Sequence, residues 1–181
     1  YGNIADSEVS TAVGAQNHAG SGAASAVGRS NSAIGLRSSA FGYSNEAKGE
    51  NANAFGFDNS ASGMQSNAFG VNTQAIGAYS SAFGVGAKSA GASSLALGRN
   101  ATANGDDSIA IGSMSKAFVD YANAVGFQND AKGEYSNAFG YYNQANATNS
   151  QAFGASNSAN GVGSSALGAG NTAYGVNSTA V

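Results

Sequence analysis

The stretch Ser66–Gly84, SNAFGVNTQAIGAYSSAFG, carries Ala-x-Gly three times, at Ala68/Gly70, Ala75/Gly77 and Ala82/Gly84. The spacing is seven, and it extends in both directions without insertion or deletion. Positions divisible by seven run from Ser7 to Gly175, and 21 of those 25 are Gly; the exceptions are Ser7, Ser21, Val119 and Ala147. Two residues earlier, 25 of 26 positions from Ala5 to Ala180 are Ala, and only Ser89 departs. A period held this strictly marks an array of stacked units rather than one irregular core.

A second period lies over the first. The residue before every second Gly is Val13, Val27, Phe41, Phe55, Phe69, Phe83, Leu97, Ile111, Val125, Phe139, Phe153 or Leu167, and Val181 closes the series. All are large and apolar. The same place in the alternate heptads is mostly polar or small, as at Asp6, Lys48, Ser62, Asn104, Lys132, Asn146 and Asn160. The true repeat is therefore 14 residues, with two similar halves that meet different surroundings.

A period of seven first suggests a coiled coil. That fold needs apolar residues at both a and d of every heptad, whereas this chain guarantees one large apolar residue per fourteen. It also places Gly in nearly every heptad, at about 1 kcal/mol per helix-interior Gly. Asn and Ser, abundant throughout, compete with helix by bonding to nearby backbone. The half-repeat N/S-x-A-φ-G-x-x fits a strand instead. Asn31, Ala33 and Gly35, then Ser38, Ala40 and Gly42, are spaced by two and share one face. Each unit thus makes two short strands and two turns, with Gly and Asn suited to the turns. The chain is all-β, and the small residues form its interior. Thirteen coils about 4.8 Å apart give roughly 60 Å of length.

Composition narrows the function. There are 27 Gly, no Pro and no Cys, and the formal net charge is −3. Disulfides, thiol chemistry and zinc–thiolate sites are excluded. A nucleic-acid footprint needs basic clusters that are missing here. No run reaches the length of a transmembrane helix. Tyr1 begins within the pattern, which points to a piece of a longer chain.

The large apolar residue of each coil sits beside Ala and so faces outward. Stacked coils make it a continuous stripe, widened by Leu95 and Ile109. At roughly 100 Å² apiece the stripe passes about 1,000 Å², more than a soluble monomer normally exposes. It is expected to meet copies of itself, in parallel, so that every rung faces its own counterpart. The residues leave two or three subunits open.

The segments SAVGRSNSAIGLRSSAFG (Ser25–Gly42), SLALGRNATANG (Ser94–Gly105), SIAIGSMS (Ser108–Ser115) and SSALGAGNTAYG (Ser164–Gly175) resemble the YadA-like heads of trimeric autotransporter adhesins. The resemblance covers essentially the whole chain. It implies a left-handed parallel β-roll of about 13 coils over residues 1–181, and a homotrimer with the stripe turned inward. It further implies a head displayed at the outer membrane of a Gram-negative bacterium. The signal peptide, neck, stalk and membrane anchor would lie outside residues 1–181. Members of that family adhere to host cell receptors or extracellular matrix proteins and serve virulence, without enzymatic activity.

Turn aromatics are the candidates for a ligand surface. Tyr43 and Phe57 follow the interface-strand Gly, and Met64 and Tyr79 lie in nearby turns. The densest set is Met114, Phe118, Tyr121, Phe127, Tyr135, Tyr141 and Tyr142. These rings equally suit a seam between neighbouring chains. His18 is alone and is expected to be a solvated turn residue. Asp106, Asp107 and Asp120 lack a repeated G-x-D calcium loop, and no GxxxxGK[ST] occurs. No metal, cofactor or catalytic group is expected. Asn100, Asn146 and Asn177 open glycosylation triplets that chance explains. An ice-binding face would need aligned Thr, and Thr11, Thr73, Thr102, Thr148 and Thr172 do not line up. A passive spacer in a surface fibre is the alternative to adhesion.

Overall fold

A typical 14-residue unit folds into one coil made of a five-residue strand, a corner, a two-residue strand and a second corner. A computed structural model of the chain describes residues 2–181; Tyr1, where the pattern begins, lies outside them. Ser39–Tyr43, Glu46–Ala47, Asn53–Phe57 and Ser60–Ala61 are two successive coils. The long strands make one 13-stranded sheet and the short strands another. All pairing is parallel, with a register of fourteen: Phe69 lies beside Phe55 on one side and Phe83 on the other. The chain is an all-β parallel solenoid of about 13 turns.

The interior holds five small residues per coil, as at Asn31, Ala33, Gly35, Ser38 and Ala40. Among the described residues every fully buried apolar side chain is Ala. Ala is what allows the two sheets to close on each other, because any larger side chain would force them apart. Ser89, the one break in the Ala series, is satisfied inside: its hydroxyl lies 2.6 Å from that of Ser94, which donates to the Gly91 carbonyl at 2.7 Å.

Half of the glycines depart from expectation. Sequence alternation places them all inside, and Gly35, Gly49 and Gly63 are indeed buried, but Gly42, Gly56 and Gly140 are exposed. The latter set, at multiples of fourteen, has φ near +120°, as at Gly42 (+119°) and Gly56 (+123°). That backbone turns the residue out of the core while keeping it in the ladder. All four exceptions to the Gly series, Ser7, Ser21, Val119 and Ala147, fall in the other set, where φ is not in this range. An L side chain there escapes the φ penalty that it would meet in the first set. Val119 still leaves a mark. The Tyr135 N–H reaches the Asp120 carbonyl at 3.4 Å, against 2.9 Å for Tyr121 to Asp106 one coil earlier.

Buried Asn side chains lock the first corner of each coil. The Asn31 amide donates to Asn17 Oδ1 (3.0 Å), to the Val27 carbonyl (2.9 Å) and to the Gly42 carbonyl of the next coil (2.7 Å). Its own Oδ1 accepts from the Asn45 N–H and side-chain amide, both at 3.0 Å. The column runs Asn17, Asn31, Asn45, Asn59, is interrupted by Thr73, Ala87, Ala101 and Ser115, and resumes at Asn129, Asn143 and Asn157. The two strands that shorten to three residues, Leu95–Leu97 and Ile109–Ile111, fall within that interruption.

The second corner uses Ser differently. Ser38, Ser66, Ser80 and Ser136 have buried hydroxyls without a partner among the described residues, and Ala24, Ala52 and Ala122 occupy the same column. Replacing Ser66 by Ala is expected to shift stability by no more than about 0.5 kcal/mol, because no bond is lost. Replacing Ser94, which bonds Gly91 and Ser89, is expected to cost about 1–2 kcal/mol. Denaturant unfolding of the two variants side by side checks the contrast.

Candidate functional site

The outer face of the long sheet carries the predicted stripe. Phe41, Phe55, Phe69 and Phe83 stack ring on ring, with centroids 4.8, 4.9 and 5.3 Å apart and planes within 16°. Phe139 and Phe153 stack at 5.2 Å. The bare area is smaller than free side chains would give, since each ring covers its neighbour's face. Val13, Leu97 and Val181 are exposed, and the other stripe residues, Leu95 and Ile109 included, are half-buried in the single chain. Ring edges still form an unbroken apolar column. A second column runs beside it at the first corner, where Tyr43 and Phe57 stack at 5.2 Å and the Arg29 guanidinium lies 5.7 Å from the Tyr43 ring centre.

The short sheet faces outward with polar side chains. Lys48 pairs with Glu46 at 2.9 Å and Lys132 with Asp130 at 3.4 Å, each two residues apart on one strand face. Exposed pairs of this kind add little stability; they mark a face that suits water. His18 differs from its expected solvated-turn setting. It opens the short strand His18–Ala19, is half-buried, and places Nε2 2.8 Å from Asp6 Oδ2.

The dense aromatic set does not form one cluster. Met114, Phe127, Tyr141 and Tyr142 lie at the first corner, and Tyr121 and Tyr135 at the opposite one. Residues fourteen apart share a column, whereas residues seven apart, such as Tyr135 and Tyr142, stand at opposite ends of a coil. At the first corner Phe127 stacks on Tyr141 (5.5 Å), and Tyr142 meets both edge-on, at 5.7 and 4.4 Å. A shallow open groove of about 460 Å³ runs beside Tyr142, lined by Asn100, Met114, Lys116, Gln128, Asp130 and Gln144. Phe118 lines a smaller one, about 340 Å³, with Asn104, Asp120 and Glu134.

At the second corner the Tyr121 and Tyr135 rings are 4.7 Å apart and parallel within 3°. Asp106, Asp107 and Asp120 stand beside them. Tyr135, then Asp107, burial, Asp120 and Asp106 push the Tyr121 phenol above its ordinary value of 10.0. The folded chain thus favours the protonated phenol. Its contribution is complete below the ordinary value and is lost as pH rises through the raised one. Phenolate absorbance of Asp107→Asn should show Tyr121 ionising at lower pH than in the unsubstituted chain. Among the described residues no group of three or more His, Cys, Asp or Glu is arranged to hold a metal ion.

Small-residue coils, aromatic columns and open grooves define a β-solenoid repeat domain. The YadA head domain repeat family matches residues 33–59, 47–73, 61–87, 75–101, 89–115, 103–129, 131–157 and 159–181, and the chain belongs to it. It is an adhesin-type head domain, non-enzymatic in kind. Segments that would begin at 117 and 145 in the same stride are not among the matches, and each would place Val119 or Ala147 where the others have Gly. The chain is also similar to the crystal structure of the collagen-binding domain of the Yersinia adhesin YadA. That similarity has 21% identity and a TM-score of 0.48, over 93% of this chain and 68% of that one. No curated protein matches the chain.

Sequence reasoning had singled out the individual turn aromatics, but not their division between corners or the Arg29–Tyr43 contact. The fourteen-residue spacing of Arg29 and Tyr43, and of Tyr121 and Tyr135, was the available signal.

Proposed function

We propose that the chain is the ligand-binding head of a homotrimeric surface adhesin, attaching a Gram-negative bacterium to host receptors or extracellular matrix proteins as part of virulence. Membership of the YadA head repeat family carries this reading. In it, residues 1–181 are one head β-roll, left-handed, of a longer protein whose neck, stalk and outer-membrane anchor lie beyond them. The trimer interface is the column Val13 to Val181 with Leu95 and Ile109. Three parallel copies would place each stacked ring against its own counterparts and cover the edges that stacking leaves bare. The aromatic corners, repeated on three faces, would supply contact by avidity rather than by one deep pocket. A passive spacer is not favoured, because the matched family is of the adhesin type.

Solution mass of the purified chain tests the assembly, and binding to immobilised collagen, other matrix proteins and host cells tests the adhesion. A mass three times the chain's 17.6 kDa is expected. The Phe55→Asp/Phe69→Asp variant should run as a single chain, since two buried carboxylates per copy would face each other at the axis. A trimer that binds none of these surfaces is a spacer. A folded single chain in dilute solution would falsify the assembly.

A further inference from the structure

We propose that the corner formed by Tyr121 and Tyr135 receives a cationic side chain, an arginine or lysine of a partner protein. The proposal deepens the adhesion reading and rests on it. Its first ground lies inside the molecule. At the opposite corner the Tyr43–Phe57 stack is continued one coil earlier by Arg29, whose guanidinium lies 5.7 Å from the Tyr43 ring centre. The Tyr121–Tyr135 stack has the same parallel geometry, at 4.7 Å and 3°. One coil before Tyr121, however, stands Asp107, a short carboxylate instead of a cation. The outward ring face of Tyr121 is therefore uncapped, with a negative charge beside it. An incoming guanidinium or ammonium there would lie over the ring as Arg29 lies over Tyr43.

Charge complementarity commits the occupant. Asp106 Oδ1 accepts from the Ala92 N–H (2.7 Å), and Asp120 Oδ1 accepts from the Asp106 N–H (2.8 Å). Their second oxygens have no hydrogen-bond partner among the described residues. Glu134 adds a fourth carboxylate in the next coil, so this corner holds four of the chain's ten acidic residues. Between Ala92 and Asn149, Arg99 lies at the first corner, Lys116 opens a short strand, and Lys132, the first residue after the short strand Asp130–Ala131, pairs with Asp130 at 3.4 Å. Tyr121 and Tyr135 are 43% and 47% exposed in the single chain. The raised Tyr121 phenol is consistent with the negative field at that ring.

The test is titration of the assembled chain with a short oligo-arginine peptide, and with the neutral oligo-citrulline peptide of the same length, followed by calorimetry. Tyr121→Leu/Tyr135→Leu keeps every carboxylate, and Asp107→Asn/Asp120→Asn keeps both rings. The arginine peptide should bind and the citrulline peptide should not. The tyrosine variant should weaken binding about tenfold, the scale of a partly desolvated cation–π contact; the aspartate variant should also weaken it. Equal binding to the unsubstituted chain and the tyrosine variant would mean unspecific charge attraction, and the proposal falls. It also falls if the tyrosine variant changes the solution mass, for the stack would then seal a seam between copies. Matrix and cell binding by the same variants separates the two readings. Adhesion that is unchanged in the tyrosine variant removes this corner but leaves the adhesin intact. Tyrosine-dependent peptide binding by a chain that adheres to nothing keeps the cation site and removes the adhesin.

Discussion

Replacing Gly56 by Ala is expected to cost about 3–5 kcal/mol, the sum of a backbone that L residues rarely adopt and of overpacking. Gly56 has φ +123°, and a Cβ there would run into the carbonyl of Gly70 in the next coil. That obstacle is backbone, held in register by the sheet, so no rotamer change relieves it. The added carbon would also press on the Asn59 side-chain amide at 2.9 Å. Gly63→Ala is the informative partner. Its Cβ also meets backbone of the next coil, Gly77, but its φ is not in the left-handed range. Ala147 and Val119 occupy equivalent positions, Val119 with a stretched corner (Tyr135 N–H to the Asp120 carbonyl, 3.4 Å) and Ala147 with an ordinary one (Asn149 N–H to the Glu134 carbonyl, 2.9 Å). About 1–2 kcal/mol is expected there, within the ordinary overpacking range. A stacked array opens locally, so amide exchange of the flanking coils is the apt measurement. Protection should collapse around Gly56→Ala and be only slightly reduced around Gly63→Ala.

The second large effect is expected from Asn45→Ala, about 2–4 kcal/mol. The Asn45 amide donates to Asn31 Oδ1 (3.0 Å), the Phe41 carbonyl (2.9 Å) and the Gly56 carbonyl (2.7 Å). Its Oδ1 accepts from the Asn59 N–H (3.1 Å) and side-chain amide (2.8 Å). Truncation leaves buried donors and acceptors in three successive coils to find other partners. Of the two coils with Ala at this position, the one containing Ala101 has the shortened strand Leu95–Leu97, while the one containing Ala87 keeps the five-residue strand Ser81–Val85. Asn45→Ala removes the Oδ1 acceptor of the Asn59 N–H, so exchange at the Asn59 amide should rise. Unchanged protection at Asn59 would mean that the ladder is ornamental.

The two residues are mechanically joined, because the Gly56 carbonyl that Asn45 grips belongs to the backbone that only Gly can adopt. This explains why the period never slips. An insertion of one residue would put every later Asn opposite the wrong carbonyl, and an alternating strand would turn its Ala out and its Phe in.

Much of this was legible because a solenoid maps sequence distance directly onto space. Residues fourteen apart are neighbours, so the Phe41-to-Phe83 stripe is legible as a column from its spacing alone. The Ala series, unbroken except at Ser89, likewise announced a core too thin for anything larger. The candidate site was less legible. Tyr135 and Tyr142 look adjacent in the chain but stand at opposite corners, half a repeat apart. Exposure was overestimated at the stripe, because ring stacking depends on side-chain orientation, which spacing does not report.

The amino-acid sequence by itself determined the repeat, the all-β class, the small-residue interior and the outward apolar column, since each follows from a local period and the size of a side chain. Only the tertiary structure decided which glycines adopt the left-handed backbone, which carbonyls the Asn amides grip, and which aromatic stack carries a cation and which faces carboxylates. Those features depend on the register between successive coils: Asn31 reaches the Gly42 carbonyl, and Arg29 lies over Tyr43, only because the next coil is stacked fourteen residues on.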